Sequence, residues 1–253
     1  MDVDFQCTRC GKCCCNLWLP LSVDEAINWI LDGNTVQVLC EAIPWPAELP
    51  AEDLQAAFKR ERSFPASAGK LPIRVMVTLA APQRERCPNL SGDGLCAIYT
   101  RRPAVCRVYP VELNPFRTLD PARRLCPAEA WLPGLPALMR DRQLIDESLR
   151  LLVKGVQGRA VNDVDAMAAL CEMLGIRLAA LSNEGYVAHN PPADKLLGAL
   201  RSFRPGGYSG GDWMFVTGTQ ETQEAILSCD AQCIRAEEAV CSGVEYLSLF
   251  SQQ

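Results

Sequence analysis

The chain has 253 residues, enough to bury a hydrophobic core without help from disulfides or metal. It carries 25 basic and 30 acidic residues, a formal net charge of -5, which argues against a nucleic-acid binder because phosphate contacts need clustered Lys and Arg. No apolar run reaches the roughly 18 residues of a membrane span, and the acidic start Met1-Asp2-Val3-Asp4-Phe5 is unlike a secretory signal. We therefore expect a cytoplasmic protein with no nucleic-acid and no membrane partner.

The predicted elements begin after an N-terminal run of cysteines. Residues 22–25 (Ser-Val-Asp-Glu) predict a capping box that opens a helix, and Gly33 supplies its end. A second helix is expected over 51–62, and a strand over 71–79, where β-branched residues alternate with others. The stretch 82–133 is rich in Pro, Gly, Arg and Cys and has little periodicity, which is typical of a segment held together by a metal site.

Mainly helical structure is predicted beyond residue 135. Helices are expected over 138–154, 162–174, 193–200 and 219–241, with strands over 213–216 and 244–250. The glycine-rich segment 204–211 lacks the spacing of a dinucleotide-binding loop or a P-loop, so a turn is the favoured interpretation.

The fold class predicted from these elements is α+β and predominantly helical. Residues 1–135 would form an irregular cysteine-rich metal-binding domain with short strands, and residues 136–253 a mainly helical C-terminal region that can pack into the same domain.

Fourteen cysteines and a single histidine, His189, limit the ligands that the chain can offer a metal. Reducing compartments keep thiols free, so a dense cysteine pattern there indicates metal binding or catalysis rather than cross-links. His189 lies far along the chain from the cysteine-rich segment, and a lone histidine is more often a surface or core residue than a ligand. Sulfur must therefore supply most of the ligands, and thiolate sites favour zinc or iron–sulfur clusters.

The sharpest motif is the run at residues 7–15, Cys-Thr-Arg-Cys-Gly-Lys-Cys-Cys-Cys. Two residues between cysteines let a tight turn aim both sulfurs at one metal, and Gly11 permits the turn geometry. Consecutive cysteines start from adjacent α-carbons and tend to point apart, so Cys13 and Cys14 need not serve the same metal, and Cys15 is a candidate bystander. The run indicates either two centres or one centre with a free, reactive thiol.

A second constellation of cysteines follows in the irregular stretch. Its members are Cys87, Cys96, Cys106 and Cys126. Cys87 and Cys126 each precede a proline, a step that also occurs in the bacterial ferredoxin run, although the ferredoxin spacing itself is absent. Arg102 and Arg107 flank Cys106 closely, and guanidinium groups there would offset the negative charge of a thiolate-bound metal.

These motifs resemble a known family. The run at residues 7–14, then Cys87-Pro-Asn-Leu, then Cys96-Ala-Ile-Tyr-Thr-Arg-Arg-Pro-Ala-Val-Cys-Arg-Val-Tyr-Pro, is similar to the YkgJ-type CxxCxxCC cysteine-cluster family. That family is described as a zinc- or iron-chelating domain, and flagellin lysine methylases carry a related cysteine pattern. The resemblance covers about residues 5 to 131 and implies eight metal-ligating cysteines, namely Cys7, Cys10, Cys13, Cys14, Cys87, Cys96, Cys106 and Cys126.

Two functions remain open at this point. The first is an iron–sulfur protein, with a 4Fe-4S cluster as the expected cofactor, acting as an oxidoreductase or a cluster-dependent modifying enzyme. Tyr99, Arg102, Arg107 and Tyr109 are then the candidates to position a small anionic substrate or a protein partner, or to tune the cluster. The alternative is a non-catalytic zinc-binding protein, either structural or a metal carrier, because zinc sites made of cysteine alone are closed and inert.

The remaining cysteines are weaker candidates. Cys229 and Cys233 are four residues apart on a predicted helix, so their sulfurs could meet on one face. Two cysteines make a poor closed site, and buried cysteine is a common small hydrophobe, which is also the favoured interpretation for Cys40 and Cys171.

Overall fold

The computed structural model describes residues 2–50, 52–202, 210–241 and 243–249. The chain divides into two compact units, each built from two separate segments. The first, which we call the cysteine-rich unit, comprises Met1–Leu21 and Pro82–Arg159; the second, the sheet unit, comprises Ser22–Ala81 and Ala160–Gln253. Most of the predicted glycine-rich segment 204–211 lies outside the described residues.

The described residues form twelve strands and eight α-helices. The strands are β1 (Val3–Asp4), β2 (Leu17–Leu21), β3 (Gln37–Pro44), β4 (Phe64–Ala68), β5 (Leu71–Gln83), β6 (Ala137–Arg140), β7 (Gln143–Leu144), β8 (Leu178–Leu181), β9 (Gly185–His189), β10 (Met214–Thr217), β11 (Cys233–Arg235) and β12 (Glu245–Ser248). The helices are α1 (Val23–Leu31), α2 (Leu54–Glu61), α3 (Ala104–Val108), α4 (Glu147–Asn162), α5 (Val164–Leu174), α6 (Ala193–Ser202), α7 (Gln220–Ser228) and α8 (Ala236–Val240). No helix among them is both long and apolar enough to cross a membrane.

The cysteine-rich unit has little regular structure. Strands β1, β6 and β7 form a small antiparallel sheet in that order, and α3 lies against β2. A small core of Val3, Leu119 and Leu138 supports this sheet. Most of the remaining chain forms turns and short 3-10 helices at Lys12–Cys14, Tyr99–Arg101, Pro121–Arg123 and Ala128–Trp131. The irregular backbone predicted for 82–133 is confirmed.

The sheet unit is organised around a mixed sheet with the strand order β11-β10-β8-β3-β5. The first four of these strands run parallel to one another. Strand β5 is antiparallel to β3, and β4 is antiparallel to β5. Strand β8 and strand β9 share one edge of β3, since β8 pairs with Glu41 and Ala42 while β9 pairs with residues 38–40. Helices α5 and α6 pack on each other, and α6 also packs on α1.

The predominantly helical fold class predicted from the sequence is wrong. The structure is 36% helical and 26% strand, and its dominant element is the large mixed sheet. The missed strands are short and buried: β8 is Leu-Ala-Ala-Leu, and β9 is Gly-Tyr-Val-Ala-His with four of its five residues buried. Strands covered on both faces lack the polar–apolar alternation that marks a half-exposed strand, so their sequences carry no period of two.

Two of the predicted helices are also wrong in part. The segment 219–241 contains α7, then β11, then α8, because Asp230 adopts a left-handed backbone (φ 56°) that ends the first helix. Cys229 therefore caps α7 while Cys233 lies in β11, and the two do not share a helix face. The segment 138–154 begins as the β6–β7 hairpin, and its helix starts only at Glu147.

Other predicted boundaries are confirmed. Helix α1 opens with the capping box: the Glu25 amide donates to Ser22 Oγ at 3.4 Å, and the Ser22 amide donates to Glu25 Oε2 at 2.9 Å. Helix α5 ends at Gly175 in a left-handed conformation (φ 65°). The predicted strand over 71–79 lies within β5.

Candidate metal centre

The N-terminal cysteines are held by a tight turn. Gly11 has a left-handed backbone (φ 70°) and caps the 3-10 helix Lys12–Cys14, so the turn geometry predicted for it is confirmed. A Cβ at this position would lie 3.3 Å from the carbonyl oxygen of Gly94. The Arg9 amide donates to Cys7 Sγ at 3.4 Å, which aims a backbone dipole at a candidate ligand.

One end of this run lies beside the segment that carries Cys126. The Gln6 amide donates to the Ala130 carbonyl at 3.0 Å, and the rings of Phe5 and Trp131 stack with their centroids 4.7 Å apart. These contacts bring Cys7 toward Cys126, although the two are far apart in sequence. Burial raises the pKa of the Cys126 thiol, and the neighbouring thiols of the N-terminal run raise it further.

The three thiols that raise the pKa of Cys126 form a first group with Cys126 itself. We call this group the outer cysteines: Cys7, Cys10, Cys13 and Cys126. Cys7 and Cys10 are exposed, and the other two are half-buried.

The other end of the run lies beside the second constellation. The Cys87 amide donates to the Cys14 carbonyl at 2.7 Å, and Leu90 forms an antiparallel bridge with Cys96. Cys106 lies on α3, which packs against β2, the strand that begins three residues after Cys14. Three distant parts of the sequence therefore meet at the Cys14 end of the run.

The thiols at this end influence one another. Burial raises the pKa of Cys106 to about 12, and the nearby thiols of Cys87, Cys13 and Cys96 add to the shift. Burial likewise raises the pKa of Cys87, and the nearby thiols of Cys96 and Cys15 add to the shift. We call the inner cysteines Cys14, Cys87, Cys96 and Cys106. Cys87 is buried and the other three are half-buried.

Cys13 and Cys14 are in contact where the two groups meet. Their thiols are hydrogen bonded, which lowers the pKa of Cys13 to about 7 and raises that of Cys14. The expectation that these adjacent side chains point apart is therefore not met. Their neighbours overlap in part: Cys87 and Cys106 raise the pKa of Cys14, whereas Cys13 raises the pKa of both Cys106 and Cys126.

Tyr99 and Arg102 form a cationic stack beside the thiols. The Arg102 guanidinium lies 3.8 Å from the centroid of the Tyr99 ring, and that of Arg9 lies 4.8 Å from it. Arg102 Nε also donates to the Tyr99 carbonyl at 3.0 Å, which fixes its position. Its charge acts on Cys13 and Cys106 and favours their thiolate forms. Sequence reasoning missed Arg9, although its place inside the first CxxC step was a usable signal.

The other two non-cysteine candidates lie in different surroundings. The Tyr109 hydroxyl accepts a hydrogen bond from the Leu125 amide at 2.9 Å and contacts Cys126, and burial raises the pKa of Tyr109 to about 12. Tyr109 therefore holds the backbone next to an outer cysteine. Arg107 is exposed on α3.

Outside the cysteine-rich unit, the remaining candidate ligands are core or surface residues. The thiols of Cys40 and Cys171 are fully buried in the sheet unit and hydrogen bond to each other. A ring nitrogen of His189 lies 2.9 Å from the Leu178 carbonyl oxygen, and burial lowers the pKa of this imidazole. Of the two places that the sequence left open for His189, surface or core, the structure shows the core. Cys229 is exposed.

Comparison with known families decides what this cysteine pattern is. Residues 6–127 match the family model CxxCxxCC, which is described as a "putative zinc- or iron-chelating domain". This segment is thus similar to the CxxCxxCC domain. The resemblance seen in the sequence is thus confirmed, and the CxxCxxCC domain contains all eight predicted ligands. Comparisons with curated proteins and with solved structures gave no match.

The CxxCxxCC domain fits a metal by its donor chemistry. It offers eight free thiols with a guanidinium beside them, the soft donor set that zinc and iron–sulfur clusters favour. Across the described parts of the chain, no three His, Cys, Asp or Glu side chains already stand close enough together to hold a metal ion.

Proposed function

We propose that the protein is a cytoplasmic iron–sulfur protein whose outer cysteines hold a 4Fe-4S cluster. The residues that would hold it are Cys7, Cys10, Cys13 and Cys126. Such a cluster supplies one-electron redox chemistry when bound. Fourteen free cysteines favour a reducing compartment, where thiols stay available to metal.

The arrangement of the outer cysteines carries this proposal. In two-cluster bacterial ferredoxins, a C-x-x-C-x-x-C run and a remote cysteine followed by proline together ligate each four-iron cluster. Here Cys126, which precedes Pro127, lies beside the C-x-x-C-x-x-C run at residues 7–13. The sequence spacing of a ferredoxin is absent, but the influence of Cys7, Cys10 and Cys13 on the pKa of Cys126 supports the same combination of ligands.

The exposure of Cys7 and Cys10 favours an oxidoreductase role. A cluster held by exposed ligands lies at the protein surface, where a redox partner can approach it closely. The stack of Arg9, Tyr99 and Arg102 lies beside the thiols and presents two guanidinium groups. Guanidinium groups bind carboxylates and phosphates, so this stack is suited to an anionic substrate or an acidic protein partner.

Anaerobic purification followed by metal analysis tests the proposal. We expect visible absorption from thiolate-ligated iron, with about four iron atoms and about four labile sulfides per outer cluster. Cys10→Ser should lose this absorption, whereas the matched control Cys229→Ser, which removes an exposed thiol of the sheet unit, should keep it. A colourless wild-type protein with stoichiometric zinc after oxygen-free preparation would contradict the proposal and favour the zinc-binding alternative.

A further inference from the structure

We propose that the surface around the outer cysteines docks a protein partner whose own surface is acidic. We call this surface the arginine rim, and it consists of Arg9, Leu95, Tyr99, Arg101, Arg102 and Leu125. This inference rests on the proposed function, because it takes the outer cysteines as the centre that the partner approaches. It goes further by choosing a protein among the anions that guanidinium groups can bind.

The two units of the chain carry opposite charge. The cysteine-rich unit contains 15 basic and 10 acidic residues, whereas the sheet unit contains 10 basic and 20 acidic residues. The net charge of -5 therefore conceals a positively charged unit that carries all the candidate ligands. A surface with one sign of charge attracts partners of the opposite sign and speeds their encounter. The cysteine-rich unit is thus suited to an anionic partner.

The positive excess includes the arginines of the rim. Three carboxylates of the cysteine-rich unit are already paired with other arginines of that unit: Asp4 with Arg140, Glu112 with Arg124, and Asp120 with Arg123. Arg9, Arg101 and Arg102, in contrast, form no ion pair within the described residues. Their charges are therefore available to the carboxylates of another molecule.

The stack of Arg9, Tyr99 and Arg102 presents two like charges that share one ring. The guanidinium groups of Arg9 and Arg102 lie 4.8 and 3.8 Å from the ring centroid, and the hydrogen bond from Arg102 Nε to the Tyr99 carbonyl holds Arg102 in place. Like charges this close repel each other, so a carboxylate bound by both would be favoured. An arginine that is already positioned loses little conformational freedom on binding, which raises the affinity.

Exposed leucines give the rim an apolar component. Leu95 and Leu125 directly precede candidate ligands in the sequence, and they are 46% and 52% exposed. The turn that leads to Leu95 lies against the N-terminal run, since the Gly94 carbonyl oxygen is 3.3 Å from the position of a Cβ on Gly11. The hydrogen bond from the Leu125 amide to the Tyr109 hydroxyl holds Leu125 beside the outer cysteines. Apolar side chains beside arginines are typical of protein–protein interfaces, and neither a small anion nor a phosphate backbone would cover them.

The basic residues of the cysteine-rich unit also favour a protein over a nucleic acid. Of these 15 residues, Lys12 and Lys154 are lysine and the rest are arginine. Arginine is enriched and lysine depleted in protein interfaces, whereas both serve the phosphates of nucleic acids. The bases of a single strand stack on open aromatic rings, but two guanidinium groups already lie against the ring of Tyr99. An acidic protein surface is therefore the partner that fits the rim.

Two acidic peptides of equal length and charge test the rim, one made of glutamate and serine and the other of glutamate and leucine. Fluorescence anisotropy gives their affinity for the anaerobically purified full-length protein, with its metal, at low and at physiological salt. We expect the leucine peptide to bind more tightly, because it also covers Leu95 and Leu125. Arg9→Gln should weaken both peptides several-fold, since it removes a charge of the stack but keeps the amide that donates to Cys7. The matched control Lys154→Gln removes an exposed charge of the same unit that forms no ion pair within the described residues, and it should bind both peptides as the wild type does.

Leu95→Ser separates a docking surface from a site for charge alone. We expect this variant to bind the leucine peptide several-fold more weakly and the serine peptide as the wild type does, a selective result that a misfolded variant cannot produce. Equal weakening by Arg9→Gln and Lys154→Gln would overturn the rim, because net charge would then explain binding. Tighter binding of an oligonucleotide of equal charge, or displacement of both peptides by free glutamate at the same carboxylate concentration, would also overturn it, since the surface would then serve a nucleic acid or a small anion.

Metal analysis of the same preparation keeps this inference apart from the proposed function. Peptide binding that depends on Arg9 and Leu95, in a protein that contains zinc and no iron–sulfur cluster, would reject the iron–sulfur proposal and leave the docking surface standing. An intact cluster in a protein that binds neither peptide would reject the docking surface alone.

Discussion

The Cys87 amide donates a 2.7 Å hydrogen bond to the Cys14 carbonyl oxygen, and this bond connects the N-terminal cysteine run to the second constellation. Adjacent to it, the Cys13 thiol is hydrogen bonded to that of Cys14 and has its pKa lowered to about 7. Cys13 raises the pKa of Cys106 as well as that of Cys126, so this pair of neighbours lies at the division where the outer and inner cysteines meet. A change in the charge beside this division should alter how firmly metal is held.

Arg102 is the residue whose removal should show that effect. Its guanidinium is fixed by the Tyr99 ring and carbonyl and acts on Cys13 and Cys106. We expect Arg102→Gln to lose metal to a chelator several-fold faster than the wild type, since a half-exposed charge beside thiolates contributes about 1 kcal/mol. The measurement is the rate of metal release, by absorbance, at low and high salt.

Arg107→Gln provides the matched control. It removes the same charge from the neighbouring helix α3, but its side chain is exposed. Its release rate should stay close to that of the wild type. Equal acceleration by the two substitutions would show that only the net charge of the domain matters, and not the placement of Arg102.

Gly11 should be sensitive even to alanine. Its left-handed backbone and the 3.3 Å approach of the Gly94 carbonyl both oppose a Cβ. We expect Gly11→Ala to lower the unfolding free energy of the metal-free protein by about 1 kcal/mol or more, and to weaken metal binding, because the turn positions Cys10 and Cys13. Gly92→Ala is the control, since a Cβ there meets no atom within 4 Å. Chemical denaturation of both variants decides the comparison, and equal stabilities would contradict the argument.

The sequence was sufficient for features that depend on local chemistry. The capping box of Ser22 and Glu25, the left-handed Gly11 and the match of residues 6–127 to the CxxCxxCC model all follow from residue types at short spacings. The grouping of the cysteines could not be read in this way, because it depends on contacts such as Gln6 with Ala130 that join distant segments. Spacing alone gives the eight candidate ligands but not their neighbours in space.

The large mixed sheet was not predicted from the sequence for a related reason. Strand β3 carries Gln-Val-Leu-Cys-Glu-Ala-Ile-Pro and is buried along most of its length. It pairs with β5, β8 and β9, so neither of its edges is free to show an alternating pattern. Tertiary burial, rather than intrinsic propensity, makes this segment a strand. The same burial makes Cys40, within β3, a core residue rather than a ligand.

Chemical labelling should distinguish the core cysteines from the surface ones. In the folded protein, Cys229 and Cys241 are exposed, whereas Cys40 and Cys171 are fully buried. We expect iodoacetamide to modify the exposed pair rapidly. The buried pair should react more slowly by a factor of about a thousand or greater, since labelling there requires opening of the sheet unit. Peptide mapping by mass spectrometry at several labelling times gives the rates. Rapid modification of Cys171 would show that α5 does not protect it, and denaturant should remove the difference.

The only histidine provides a pH dependence that can be assigned to one residue. Burial lowers the pKa of His189 below its usual value of 6.5, so the unfolded chain binds a proton before the folded chain does. The stability due to neutral His189 is therefore present above the usual pKa and is lost as the pH falls below it, with a slope approaching about 1.4 kcal/mol per pH unit. Denaturation of the metal-free protein between neutral and mildly acidic pH should show this loss in the wild type and less of it in His189→Gln. The NMR titration of the single imidazole should have its midpoint below 6.5, and a midpoint at or above that value would refute the assignment.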